Sequence, residues 1–224
     1  MKHEDVRLPD AVPRRGGYAL GDIVTDLWGA APGPGKGTGA VPAPAAFPPF
    51  EQFWRAVDAA VDWTDALVRD TPPDALTTGD RWRFYHSQAP AVLAGDLQAY
   101  LTVLKTVDPL GDLKPYARGI TVGAPDADTL RCRFQAEPAY LATSPAEARR
   151  YLAAVALRAA RDLLALLPVC RVRVAACRGA QTLLEAEYSR EALENVRFGL
   201  VDPVALTLNC GGRFAPAQQA KSQD

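Results

Sequence analysis

The segment TSPAEARRYLAAVALRAARDLLALLP, residues 143–168, constrains the fold more than any other, because both of its ends are marked. Ser144 stands where an N-cap belongs, Pro145 suits the first turn, and Glu147 completes a capping box with Ser144. Pro168 stops the helix, since proline lacks the N–H a continuing helix needs. On each side lies a stretch of strand character. ARGITVGAPDADTLRCRFQAEP turns near Gly123–Asp128, and VCRVRVAACRGAQTLLEAEYSR turns near Gly179. In the first stretch Leu130, Cys132 and Phe134 face one way, and Arg131, Arg133 and Gln135 the other. A last short helix, SREALENVRF, begins at Ser189. Strand–strand–helix occurs twice, which predicts an α+β domain: a largely antiparallel sheet built from two hairpins, with helices packed on one face.

The expected domain runs over 50–214, with a frayed tail at 215–224. It opens on two helices. PFEQFWRAVDAAVDWTDALVRD places Phe50, Phe53, Trp54, Val57, Val61, Leu67 and Val68 on one helical stripe. Asp58, Asp62 and Asp65 fall on the other face, read as solvated acids because no second type of metal ligand stands near them. PAVLAGDLQAYLTVLKTVDP reads as a further helix, weakened near Gly95. Between these, RWRFYHSQAP alternates like a short strand, with Arg81, Arg83 and Tyr85 on one face and Trp82, Phe84 and His86 on the other. Interleaved arginine and aromatic residues can form a base-stacking platform; more commonly such a strand buries its rings and solvates its cations.

Residues 1–49 form an N-terminal arm. Residues 29–49 hold six prolines and five glycines, a linker composition. Within it, APGPGKGTGA imitates a phosphate-binding loop, but Ala30 replaces the first glycine, and Pro42 and Pro44 would break the helix that must follow. Asp22 and Asp26 interrupt what should be a buried strand before it. The loop is therefore a decoy, and no nucleotide cofactor is expected. Leu20, Ile23, Val24, Leu27 and Trp28 follow helical spacing, and a short amphipathic helix needs a surface to dock on. That surface is either its own domain or the groove of a protein partner.

Charge is balanced, 25 basic against 26 acidic residues, so nothing in the total draws the chain to nucleic acid or an anionic membrane. No apolar run is long enough to cross a membrane, and the N-terminus lacks a secretory apolar core, which predicts a cytoplasmic protein. The 20 arginines against five lysines point to GC-rich coding and a bacterial source. Cys132, Cys170, Cys177 and Cys210 include no CxxC pair, and His3 and His86 are the only histidines, so a metal site is not expected. No hydrolase, metalloprotease, dinucleotide or kinase motif is present. His86 and Cys210 remain the lone acid–base and nucleophile possibilities, each without an evident partner.

Locally the charge is segregated. Residues 129–178 carry nine arginines against three acids, whereas residues 50–112 carry ten acids against five basic residues. Arg131, Arg133, Arg149, Arg150, Arg171 and Arg173 are the candidate phosphate or nucleic-acid contacts. With a three-residue turn, Arg173 would oppose Glu185 and Arg171 would oppose Glu187, neutralising part of the face. The leading expectation is a non-enzymatic interaction or assembly protein that binds another protein or itself. A nucleic-acid-associated protein is the alternative, and an enzyme without a legible motif a weaker one.

Overall fold

The computed structural model describes residues 23–26, 47–54, 60–73 and 77–216. The architecture is α+β. Strands β1 (Ile23–Asp26), β2 (Ala117–Asp126), β3 (Thr129–Ala136), β4 (Arg171–Arg178), β5 (Gln181–Ser189) and β6 (Arg213–Phe214) form one sheet, and their spatial order follows the chain. All neighbours are antiparallel except β3 and β4, which run parallel, with Arg131 beside Arg173 and Cys132 beside Val174. The sheet is therefore mixed. The parallel pair exists because α6 (Pro145–Leu166) carries the chain back along the sheet before β4 starts, and parallel neighbours need such a crossover.

That helix is the centre of the molecule. Ser144 Oγ accepts from the Glu147 N–H, and the Glu147 carboxylate accepts from the Ser144 N–H at 3.1 Å, so two of the orphan donors at the helix start are satisfied. From Tyr151 to Leu164 every residue of α6 is buried. A helix buried all round needs cover on both sides. One side is the sheet, where it packs on β3, β4 and β5. The other side is α8 (Pro203–Asn209) and a strap at 47–54, which contains α1 (Phe50–Phe53). Phe47 of the strap packs edge-on to Tyr116, Tyr140 and Tyr151, with ring centroids 5.2–5.6 Å away.

The buried charged residues of α6 lie against the strap. Arg158, Arg161 and Asp162 are at most 6% exposed and share one face at i, i+3, i+4 spacing. The Arg158 guanidinium donates to Asp162 at 2.6 Å, to Asp112 at 2.7 Å and to the Phe53 carbonyl at 2.9 Å. Arg161 donates to Asp162 at 2.8 Å and lies 3.4 Å over the Trp54 ring, which itself stacks on Phe198 at 3.8 Å. Burial pushes the Asp162 carboxyl above its ordinary value, against the pull of Arg161 and Arg158. Hydrogen bonds from both guanidinia make this buried charge tolerable.

Three expectations change. RWRFYHSQAP is helical, within α3 (Gly79–Leu93), capped by Thr78. Helical spacing gathers Trp82, Tyr85, Ala89 and Val92 into one buried face, a better burial than alternation gives. The acidic segment is not one helix. Its α1 is four residues long, and the chain restarts in α2 (Trp63–Val68), where Asp62 is the N-cap and accepts from Thr64 and Asp65 N–H groups at 2.9 Å. Val68 is 69% exposed, off the stripe assigned to it. Ile23 and Val24 lie in β1, paired with Ala124 and Gly123 of β2, and not in an amphipathic helix. An open edge of β2 offers a row of backbone partners that a lone short helix lacks. Leu20, Leu27, Trp28, Asp58, the glycine-rich decoy and the tail beyond residue 216 lie outside the described residues. The weakness near Gly95 is a break: α3 ends, Gly95 takes φ +74°, and α4 (Leu97–Val107) begins under an Asp96 cap.

Candidate functional site: the arginine face of the sheet

Alternation along the central strands sorts their side chains into two layers. On β3, Leu130, Cys132 and Phe134 are buried while Arg131 and Arg133 are exposed. On β4, Val172 and Val174 are buried while Arg171 and Arg173 are exposed. On β5, Leu184, Ala186 and Tyr188 are buried while Glu185 is exposed. The buried layer faces α6. The other layer is the open face of the sheet, and its middle is arginine. Parallel pairing places Arg131 directly beside Arg173. Strands lie about 4.8 Å apart, so two cations stand side by side with Arg133 and Arg171 on the diagonals. Like charges opposite each other oppose sheet formation. At Arg173 the repulsion is offset by acids, with Glu187 hydrogen-bonded to it and Asp126 and Glu185 also attracting it.

Glutamates on β5 offset part of this charge, in a register different from the expected one. The turn holds two residues, Gly179 at φ +59° and Ala180, and the ladder shifts between Ala176 and Cys177. Arg173 consequently opposes Glu187, not Glu185, and Arg171 opposes Ser189. One carboxylate serves both cations: Glu187 lies 2.6 Å from Arg173 and 3.8 Å from Arg171. The hydrogen bond to Glu187 holds the Arg173 guanidinium above its ordinary value. Glu185 instead stands beside Arg213 of β6. Arg173, Glu185, Glu187, Gly211 and Arg213 outline a shallow hollow of about 330 Å³ at this edge. Gln135 fixes the far end of the face, accepting from the Gly179 N–H at 2.9 Å.

The six candidate arginines are thus split. Arg131, Arg133, Arg171 and Arg173 come together, while Arg149 and Arg150 lie on the first turns of α6, on the covered side. Arg213 joins the face, and nothing in its local sequence marks it, because β6 is only two residues long. The aromatic platform does not form: Trp82 and Tyr85 are buried on α3, Trp82 donating to the Arg69 carbonyl at 3.0 Å. His86 Nδ1 donates to the Ala66 carbonyl at 2.7 Å, and so is tied up in backbone bonding. Burial pushes the Cys210 thiol up, the wrong direction for a nucleophile, and Cys132 is pushed up to about 12. Among the described residues no group of three His, Cys, Asp or Glu is placed to hold a metal, and no helix is long and apolar enough to cross a membrane.

Comparison with protein-family models, with curated proteins and with solved structures returns no match.

Proposed function

We propose that this is a non-enzymatic binding protein whose arginine face docks on an acidic protein surface. The observation that carries the reading is the juxtaposition of Arg131, Arg133, Arg171 and Arg173, all exposed, on a face of the sheet that α6 does not cover. A cluster of four exposed cations is a surface that an acidic partner complements, and such complementarity steers encounter and fixes register. The interspersed Glu185 and Glu187 favour a protein over a phosphate backbone, because they make the pattern mixed in sign and able to set register. The test is capture from the native host with wild-type protein and with Arg131→Glu/Arg133→Glu, followed by titration of the purified partner at two salt concentrations. A partner that is lost with the charge reversal and weakens with salt supports the reading. A partner retained by the variant overturns it.

Binding of nucleic acid is the second reading, favoured by the adjacent Arg131 and Arg173 cations. Fluorescence anisotropy with labelled single- and double-stranded oligonucleotides separates the two. Submicromolar binding at about 150 mM salt, lost in Arg131→Ala/Arg133→Ala, makes the face a nucleic-acid surface. Sedimentation of the protein alone tests self-association through the same face.

A further inference from the structure

A second charged feature lies on the covered side of the sheet, away from the arginine face. A cavity of about 200 Å³ opens between the start of α6, the end of β4, the start of β5 and the short β6. Its apolar lining includes Leu141, Ala148, Leu152, Leu183 and Phe214, and its cations are Arg149 and Arg178. Arg149 is exposed, and its guanidinium lies over the Phe214 ring, 5.7 Å from the centroid, which places it at the cavity rim. Arg178 is steered by its hydrogen bond to the Gln181 amide oxygen at 3.2 Å. The Phe214 wall is itself anchored, because the Ala215 N–H donates to the Leu183 carbonyl at 2.8 Å.

We propose that this cavity is a binding site for a small amphipathic anion: a carboxylate or phosphate monoester carrying a short apolar chain. The apolar lining takes the chain, and the two guanidinium forks take the anionic head, whose planar or tetrahedral oxygens they match. The size sets an upper limit. A cavity of about 200 Å³ lies below the ~300–1,000 Å³ of sites for drug-sized ligands, so the occupant is a fragment of a few carbons plus its head group.

The test is calorimetric titration of the full chain with hexanoate, hexyl phosphate, hexanol and inorganic phosphate. Hexanoate or hexyl phosphate should bind with a Kd of about 1 mM or better, and the tighter of the two identifies the head group. Hexanol and inorganic phosphate should each bind at least about tenfold more weakly, since each lacks one half of the recognition. Arg149→Ala, at an exposed position that leaves the helix intact, should weaken hexanoate or hexyl phosphate by about tenfold, and Arg149→Lys by less. Ala148→Leu, which fills the cavity from α6 without disturbing helix propensity, should abolish binding while the circular dichroism spectrum is unchanged. The proposal is overturned by any of three results: no binding of either anion at about 10 mM, equal affinity for inorganic and hexyl phosphate, or affinities unmoved by both Arg149→Ala and Ala148→Leu.

Discussion

Arg158 and Arg173 are the same residue type used in opposite ways. Arg158 is buried in the interior, and each edge of its guanidinium is assigned: Asp162, Asp112 and the Phe53 carbonyl. Arg173 stands in solvent on the sheet, half of its side chain exposed, with one shared glutamate beside it. Removing water from a charge is costly, so the interior arginine persists only because its partners are complete, and it then becomes indispensable. The surface arginine is screened and contributes little to folding, which leaves it free to serve recognition. Burial and partner count, and not residue identity, divide Arg158 and Arg161, which hold the strap, from Arg173, which stands on the exposed face of the sheet.

The sharpest way to break this comparison is at Arg158. Arg158→Ala leaves Asp162 buried with a partner missing and should cost about 3–5 kcal/mol, read from urea unfolding. If the cost is that of a stranded charge, replacing Arg158, Arg161 and Asp162 together by Met, Leu and Leu should cost much less than the single change. A triple variant that unfolds would show that the ionic cluster itself is required. The strap offers the next largest effect. Trp54→Ala removes a ring held between Arg161 and Phe198, and because Trp54 is only partly buried the loss should be about 2–3 kcal/mol, below the ~3–5 of a fully buried tryptophan.

The cap of α6 comes third. Ser144→Ala should cost about 1 kcal/mol at neutral pH, measured by thermal melting. Hydrogen bonds from Ser144 hold the Glu147 carboxyl below its ordinary value. A depressed carboxyl stabilises the fold above its unfolded pKa of about 4.3, and that contribution fades as pH falls through the folded value. The gap in melting temperature between wild type and Ser144→Ala should therefore be full at pH 7 and narrow at pH 3. A gap independent of pH would remove Glu147 from the account. The smallest effect on folding belongs to the sheet face. Arg173→Ala and Glu187→Ala should leave the unfolding midpoint unchanged within error, while Glu187→Ala should raise affinity for an acidic partner. A clear loss of stability in either would place these residues with Arg158 and not against it.

The capped start of α6, its stop before Pro168 and the alternation of Arg131 and Arg133 against Leu130 and Cys132 were legible because each depends on residues a few positions apart. What escaped depends on distant segments. Alternating arginine and aromatic residues at 81–86 suit a strand locally, and only the pocket that receives Trp82 and Tyr85 decides for a helix. The Arg173–Glu187 pairing turned on one extra residue at a ladder shift, which no pattern announces. The buried trio of α6 did leave a trace: charges at 158, 161 and 162 sit amid Ala154, Val155, Leu157, Ala159, Ala160 and Leu163, too apolar a setting for a solvated face. The cavity beside Arg149 had no trace, since its walls come from 141–152, 178–183 and 214–216.

Strand order that follows chain order has a consequence for synthesis. A chain emerging from the ribosome at about 5–20 residues per second presents each strand from β3 onward to a neighbour already made, so from β2 to β6 the sheet can extend from one side, while β1 waits for β2. The strap behaves differently. Its Phe53 carbonyl is made early and meets Arg158 across 105 residues, so it must wait until α6 exists before it can close. Until then Phe47, Phe50, Phe53 and Trp54 have no helix to cover, and the nascent protein spends that interval with its most aromatic stretch exposed to chaperones and to other chains.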